Sequence, residues 1–320
     1  MGSPGVYQAG MYHISPLIVN DVNNLNYITP VTSDIYPAKK KLVIIFGWSP
    51  KDKSDVVIPY PGIDDLKTRI TQNWASFFSN TDLTVSKITS TSPPGLGYEI
   101  YAYNYLTSDA IDVNGTRFRA KMDALFSGQT GTVVIFAHSM GGLVSRFASY
   151  EGGRPSYLKK IITSGTPHHG SPWASPEFQD TTSLGEIASF LINTAGGQDL
   201  RWDNFDGALA GASNPKLSSL NQKTDRDDLL HTFYGSYTYT GSLLTPVNNK
   251  TLIIGCNVMN KKSASFNPSD CIVPSSSATI SGHTLTAAAE AFINHDHVDM
   301  KLSTNEVRTA LYNYLAALPW

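Results

Sequence analysis

Residues Thr132 to Arg146 read TVVIFAHSMGGLVSR. Val133 to Phe136 is a short apolar run suited to a strand buried on both faces, and Leu143, Val144, Phe147 and Ala148 follow at helical spacing. Between them lies Ala137-His138-Ser139-Met140-Gly141-Gly142, a single serine on a sharp turn with small residues two positions to either side. Such a turn strains the serine backbone, and bulky neighbours there would clash. A serine hydroxyl is a poor nucleophile at neutral pH. It needs a base within hydrogen-bond reach and a third group to fix the tautomer of that base. The chain offers eight histidines for the role. The plain alternative is a serine in an ordinary strand-to-helix turn.

The string resembles the G-x-S-x-G nucleophile elbow of the α/β-hydrolases, with Ala137 at the first glycine as in small bacterial lipases. Two other segments extend the likeness. Asp270-Cys271-Ile272-Val273-Pro274 followed by serines resembles the acid loop after the seventh strand of that fold, and His297-Val298-Asp299-Met300 resembles its histidine loop. Ser139, Asp270 and His297 then stand in the chain order Ser…Asp…His of this superfamily. The resemblance implies that His297 takes the Ser139 proton and later passes it to the leaving alkoxide, while Asp270 orients the imidazole. It also implies that the amides of Trp48, after Phe46-Gly47, and of Met140 hold the oxyanion. Phe46 departs from the histidine usual in lipases. His295 is the alternative base, and Asp296 and Asp299 are competing acids, though they lie too close in sequence to reach His297 with good geometry.

The implied activity is cleavage of carboxylic esters through an acyl-enzyme, without cofactor or metal, on a small-molecule, lipid or polymeric ester. Lipase, esterase, polyester depolymerase, acyltransferase and amidase all remain open. A catalytically silent binding module is the non-enzyme alternative. The cysteines gain meaning beside the acid loop: Cys256 and Cys271 are either two buried thiols or a disulfide that holds Asp270 in place and implies an oxidising compartment.

These residues need a sheet to carry them. Lys41 to Trp48 (KLVIIFGW), Leu83 to Ile88, Tyr98 to Tyr105 and Tyr157 to Ser164 read as strands, with Pro93-Pro94-Gly95 as a turn. Asp64 to Phe78 and Asn114 to Phe126 read as amphipathic helices. The alternation predicts an α/β fold, a mostly parallel central sheet with helices on both faces. One domain is expected over residues 1–320, with an N-terminal arm over about 1–40, a polar loop over Ser49 to Pro61, and a cap insertion over about 172–248. Within the cap, Leu184 to Ile192 reads as a helix, Pro215 to Asn221 as a short helix and Phe233 to Tyr239 as an extra strand. Trp173, Phe190, Trp202 and Phe205 either line an acyl pocket or form the cap's own core. Thr251 to Gly255 (TLIIG) reads as a return to the sheet, and a final helix is expected after Ser303 or Thr304. His168 and His169, in Gly165-Thr166-Pro167-His168-His169-Gly170, are candidates for the pocket wall. No chelating cysteine or carboxylate accompanies them, so no metal is expected.

Charged residues make up 16% of the chain and the net charge is −2, which argues against nucleic acid or an anionic membrane as partner. No apolar run is long enough for a membrane-spanning helix, and a monomer is expected. The N-terminal MGSPGVYQAGMYH lacks the apolar centre of a signal peptide. The protein is therefore either cytoplasmic or has lost a leader to a cloned start. Met1 to Pro4 and the uncharged polar composition favour the second, a secreted or periplasmic protein.

Overall fold

The structure is a computed structural model, and it describes residues 40–48, 86–88, 98–103, 105–150, 153–179, 193–240, 250–283, 289–302 and 304–320. The expected N-terminal arm up to residue 39, the 49–61 loop, the 64–78 helix, the 93–95 turn, the 184–192 helix and Phe190 lie outside these residues.

Among the described residues, seven strands form one sheet: β1 (Lys40–Ile45), β2 (Ser86–Ile88), β3 (Tyr98–Tyr103), β4 (Val133–His138), β5 (Leu158–Ser164), β6 (Leu230–Ser236) and β7 (Glu290–Ile293). Their order is β2-β3-β1-β4-β5-β6-β7. The short edge strand β2 pairs antiparallel to β3, and the other six strands are parallel. Four longer helices among the described residues accompany them: α1 (Ile111–Phe126), α2 (Met140–Tyr150), α3 (Lys250–Lys262) and α4 (Asn305–Ala317).

Side-chain alternation along the strands creates a core on each face. Val43, Ile45, Val133, Ile135 and Ala137 point to one side and pack with Phe118 and Met122 of α1 and Leu143, Val144 and Phe147 of α2. Leu42, Ile44, Phe46, Val134 and Phe136 point to the other, where Val307, Leu311 and Leu315 of α4 cover them. Each such Leu, Val or Phe contributes about 1.5–3 kcal/mol by leaving water. Strand β4 is buried along its whole length, which is why its sequence is apolar without alternation. The N-cap of α4 is Thr304, whose side chain accepts the Val307 N–H.

Three expectations are corrected. Helix α1 begins at Ile111, so Asn114 and Gly115 lie inside it, and Gly115 sits where α1 crosses Phe147 of α2. The 172–248 insertion is not all cap, because residues 230–236 form β6 and pair with β5 and β7. Thr251 to Gly255 is not a strand but the first part of α3. Ile253, Cys256 and Met259 recur every three residues and are all buried, so a helical stripe is what that segment supplies. No helix among the described residues is long and apolar enough to cross a membrane.

Candidate active site

The parallel strands carry the candidate residues on the loops at their C-terminal ends, where open parallel sheets place their sites. Ser139 follows β4 directly and opens α2. Its φ is +55°, a left-handed value for a side chain other than glycine, so the elbow holds its serine under backbone strain. The turn is fixed by the Ser139 N–H donating to the Ser164 carbonyl and the Gly142 N–H donating to the Ser139 carbonyl.

The loop after β1 lies against this turn. A Cβ on Gly47 would come within 2.4 Å of the Ser139 Cβ and 2.9 Å of the Met140 nitrogen, so only glycine lets the two backbones approach. Trp48 follows directly, half-buried against the α1–α2 core. Phe46 packs into the α4-side core, and its carbonyl accepts the Tyr105 hydroxyl at 2.6 Å.

His297 reaches Ser139 from the segment after β7. Its Nε2 lies 3.0 Å from the Ser139 Oγ, and its Nδ1 lies 2.7 Å from the Asp270 Oδ2. The carboxylate can only accept, so Nδ1 carries a proton. Nε2 of the neutral ring then has its lone pair facing the hydroxyl. The other oxygen of Asp270, Oδ1, accepts the Ile272 and Val273 N–H groups at 3.0 and 2.6 Å. Asp270 is 1% exposed and lies in a loop tied to the continuation of β6, where Tyr237 and Ser269 exchange backbone hydrogen bonds. At Gly235 a Cβ would meet the Asp270 Cβ at 2.7 Å and the His295 carbonyl at 2.5 Å, so the acid and base loops cross the end of β6 over a glycine.

The competing groups go elsewhere. His295 Nδ1 faces the Ile293 carbonyl. Asp296 accepts the Val298 and Asp299 N–H groups while Asp299 accepts the Asp296 N–H, a reciprocal cap that frames His297 in a tight turn. His168 is fully buried: its Nδ1 accepts from Arg146 and its Nε2 faces the Thr163 hydroxyl. Burial, with the Arg146 charge beside it, holds its pKa well below the usual histidine value. His169 is bonded to Asp203 and to the Ser281 carbonyl. Trp173 and Trp202 pack with Phe178, Leu209, Met259 and Phe266, a small core shared by the excursion and α3. Four of the five expected pocket residues in the described chain are thus spent on packing or on buried polar contacts, and the fifth, Phe205, stacks on His169 and is 39% exposed. Cys256 and Cys271 form a disulfide, which clips α3 to the residue after Asp270. Among the described residues, no group of three or more His, Cys, Asp and Glu side chains is placed to hold a metal ion.

Two residues escaped the sequence reading. Tyr105 holds the Phe46 carbonyl, and His138 bonds through Nε2 to the His297 carbonyl at 3.0 Å. Alternation along β4 was the available signal for the second, since His138 falls on the face of Val134 and Phe136, the side that α4 and the His297 segment cover.

A family described as a PGAP1-like alpha/beta domain matches residues 120–184, from the end of α1 through the elbow to the loops after β5. No curated protein matches the chain. Among solved structures the chain is similar to a lipase of Bacillus licheniformis. The mature form is 18% identical over 88% of this chain and 94% of that one, with a TM-score of 0.56. The propeptide form is 18% identical over 89% of this chain with a TM-score of 0.55, and this chain spans about half (52%) of its length. The likeness is one of fold, and the fold is that of the α/β-hydrolases.

Proposed function

We propose that this protein is a serine hydrolase that cleaves carboxylic esters. The observation that carries the reading is the continuous relay from Ser139 Oγ to His297 Nε2 and from His297 Nδ1 to Asp270 Oδ2, at 3.0 and 2.7 Å. In this reading the Ser139 oxygen attacks the ester carbonyl as His297 takes its proton. The C–O bond to the alcohol then breaks, and His297 returns the proton to the departing alkoxide. Water repeats the sequence on the acyl-enzyme and frees the acid. Asp270 holds the ring and stabilises the imidazolium. The oxyanion is assigned to the amides of Met140, at the start of α2, and Trp48, each worth about 3–4 kcal/mol in the transition state.

Among ester hydrolases, a lipase or esterase fits best, supported by the fold shared with the Bacillus licheniformis lipase. The Cys256–Cys271 disulfide supports a secreted or periplasmic protein over a cytoplasmic one. The test is hydrolysis of nitrophenyl esters across a range of acyl lengths, wild type beside Ser139→Ala. A burst of nitrophenol from wild type and none from the variant is expected. Equal inertness of both, or full activity in the variant, would overturn the proposal.

A further inference from the structure

The base has to be held as carefully as the nucleophile, because proton transfer depends on the distance between Nε2 and Oγ. The peptide of His297 is gripped at both ends. Its N–H donates to the carbonyl of Asp270 at 2.9 Å, and its C=O lies 3.0 Å from Nε2 of His138. A carbonyl can only accept, so Nε2 of His138 carries the proton in this contact. The His138 ring is 1% exposed and packs against the His297 ring with centroids 4.7 Å apart and against Phe46 at 6.1 Å. It occupies the position immediately before Ser139. One residue therefore spans from the nucleophile's own backbone to the backbone of the base, which lies 159 positions further along the chain.

We propose that His138 is a positioning residue: its Nε2–H holds the His297 carbonyl, and through it sets the approach of the imidazole to Ser139. The proposal rests on the ester-hydrolase reading above. No proton passes through His138, and no substrate touches it. Its contribution is geometric, and a displacement of the base by about 1 Å costs on the order of 100-fold in rate.

Variants that move the donor without removing polarity provide the test. In His138→Gln the amide nitrogen stands as many bonds from Cα as Nε2 does. In His138→Asn it falls one bond short. Nitrophenyl ester kinetics, with circular dichroism and melting to count folded protein, should show the Gln variant within about threefold of wild-type kcat. The Asn variant should lose roughly 10- to 100-fold in kcat at unchanged KM. A folded Asn variant with wild-type kcat overturns the proposal, as does a folded Gln variant no better than Asn. Where the variants do not fold, ¹⁵N-histidine spectra of the wild type decide: the Nε2–H tautomer of His138 is expected, and the Nδ1–H tautomer overturns the contact. A wild type inert on every ester overturns the hydrolase reading and this proposal together. An active wild type with a fully active Asn variant overturns this proposal alone.

Discussion

Among the described residues, two histidine–aspartate couples share the same separation. His297 and Asp270 meet at 2.7 Å beside Ser139, and His169 and Asp203 meet at 2.7 Å under the excursion between β5 and β6. The far nitrogen distinguishes them. In His297 it faces a hydroxyl that can give up a proton. In His169 it faces the Ser281 carbonyl, so it must carry a proton already and has no lone pair to accept another. His283 repeats the second pattern, between Asp227 and the Asn221 carbonyl. A carboxylate behind an imidazole thus does not make a base. The partner in front decides whether the couple does chemistry or joins loops together.

Substitutions should separate the two couples. His297→Ala should lower kcat on an active ester by on the order of a million-fold, a loss that persists when the rate is referred to folded protein alone. Asp270→Asn should lose about 10,000-fold, since the imidazole is then held in the wrong tautomer. His169→Ala should act the other way. It leaves Asp203 buried without its partner, costing about 3 kcal/mol of stability, with kcat of the folded fraction retained. A reversal of these assignments, read from kcat and calorimetry on the same samples, breaks the comparison.

A third kind of buried histidine sharpens it. His231 stacks on Tyr314 with centroids 4.1 Å apart, and neither ring nitrogen has a hydrogen-bond partner. Burial first, then the Lys160 charge, lowers its pKa from 6.5 to about 4. Between those values the unfolded chain binds a proton that the folded chain refuses, so stability falls as pH drops from 6.5 to 4, by about 3 kcal/mol at most. His168 acts in the same direction. The melting temperature of His231→Phe should decline less with acid than that of wild type, and equal slopes would remove His231 from the account. The smallest effect is expected at Tyr105→Phe, which frees the Phe46 carbonyl behind the proposed oxyanion loop. The loss there is about 1 kcal/mol, read as a fall in kcat of about fivefold.

The elbow was legible because its determinants are local: an apolar strand, a turn of small residues and a helical stripe, all within fifteen positions. Asp270 and His297 were placed by short strings, and the structure brings both to Ser139. The longer stretches failed for physical reasons. TLIIG is apolar and short enough to suit either a strand or a buried helix, and only the following Cys256 and Met259 mark the three-residue recurrence. Strand β6 reads as part of the cap because its residues alone cannot say which sheet they join. The contacts of His138 and Tyr105 bridge 159 and 59 positions, and no local pattern specifies a partner at that range.

That long range also sets an order in time. Ser139 precedes His297 by 158 positions, so at about 5–20 residues per second a ribosome completes the elbow roughly 8–30 s before it adds the base. During that interval the strained turn holds an ordinary alcohol. In the proposed reading, hydrolytic power therefore arrives only once β7 has docked, and a half-made chain has no means of attacking the esters around it.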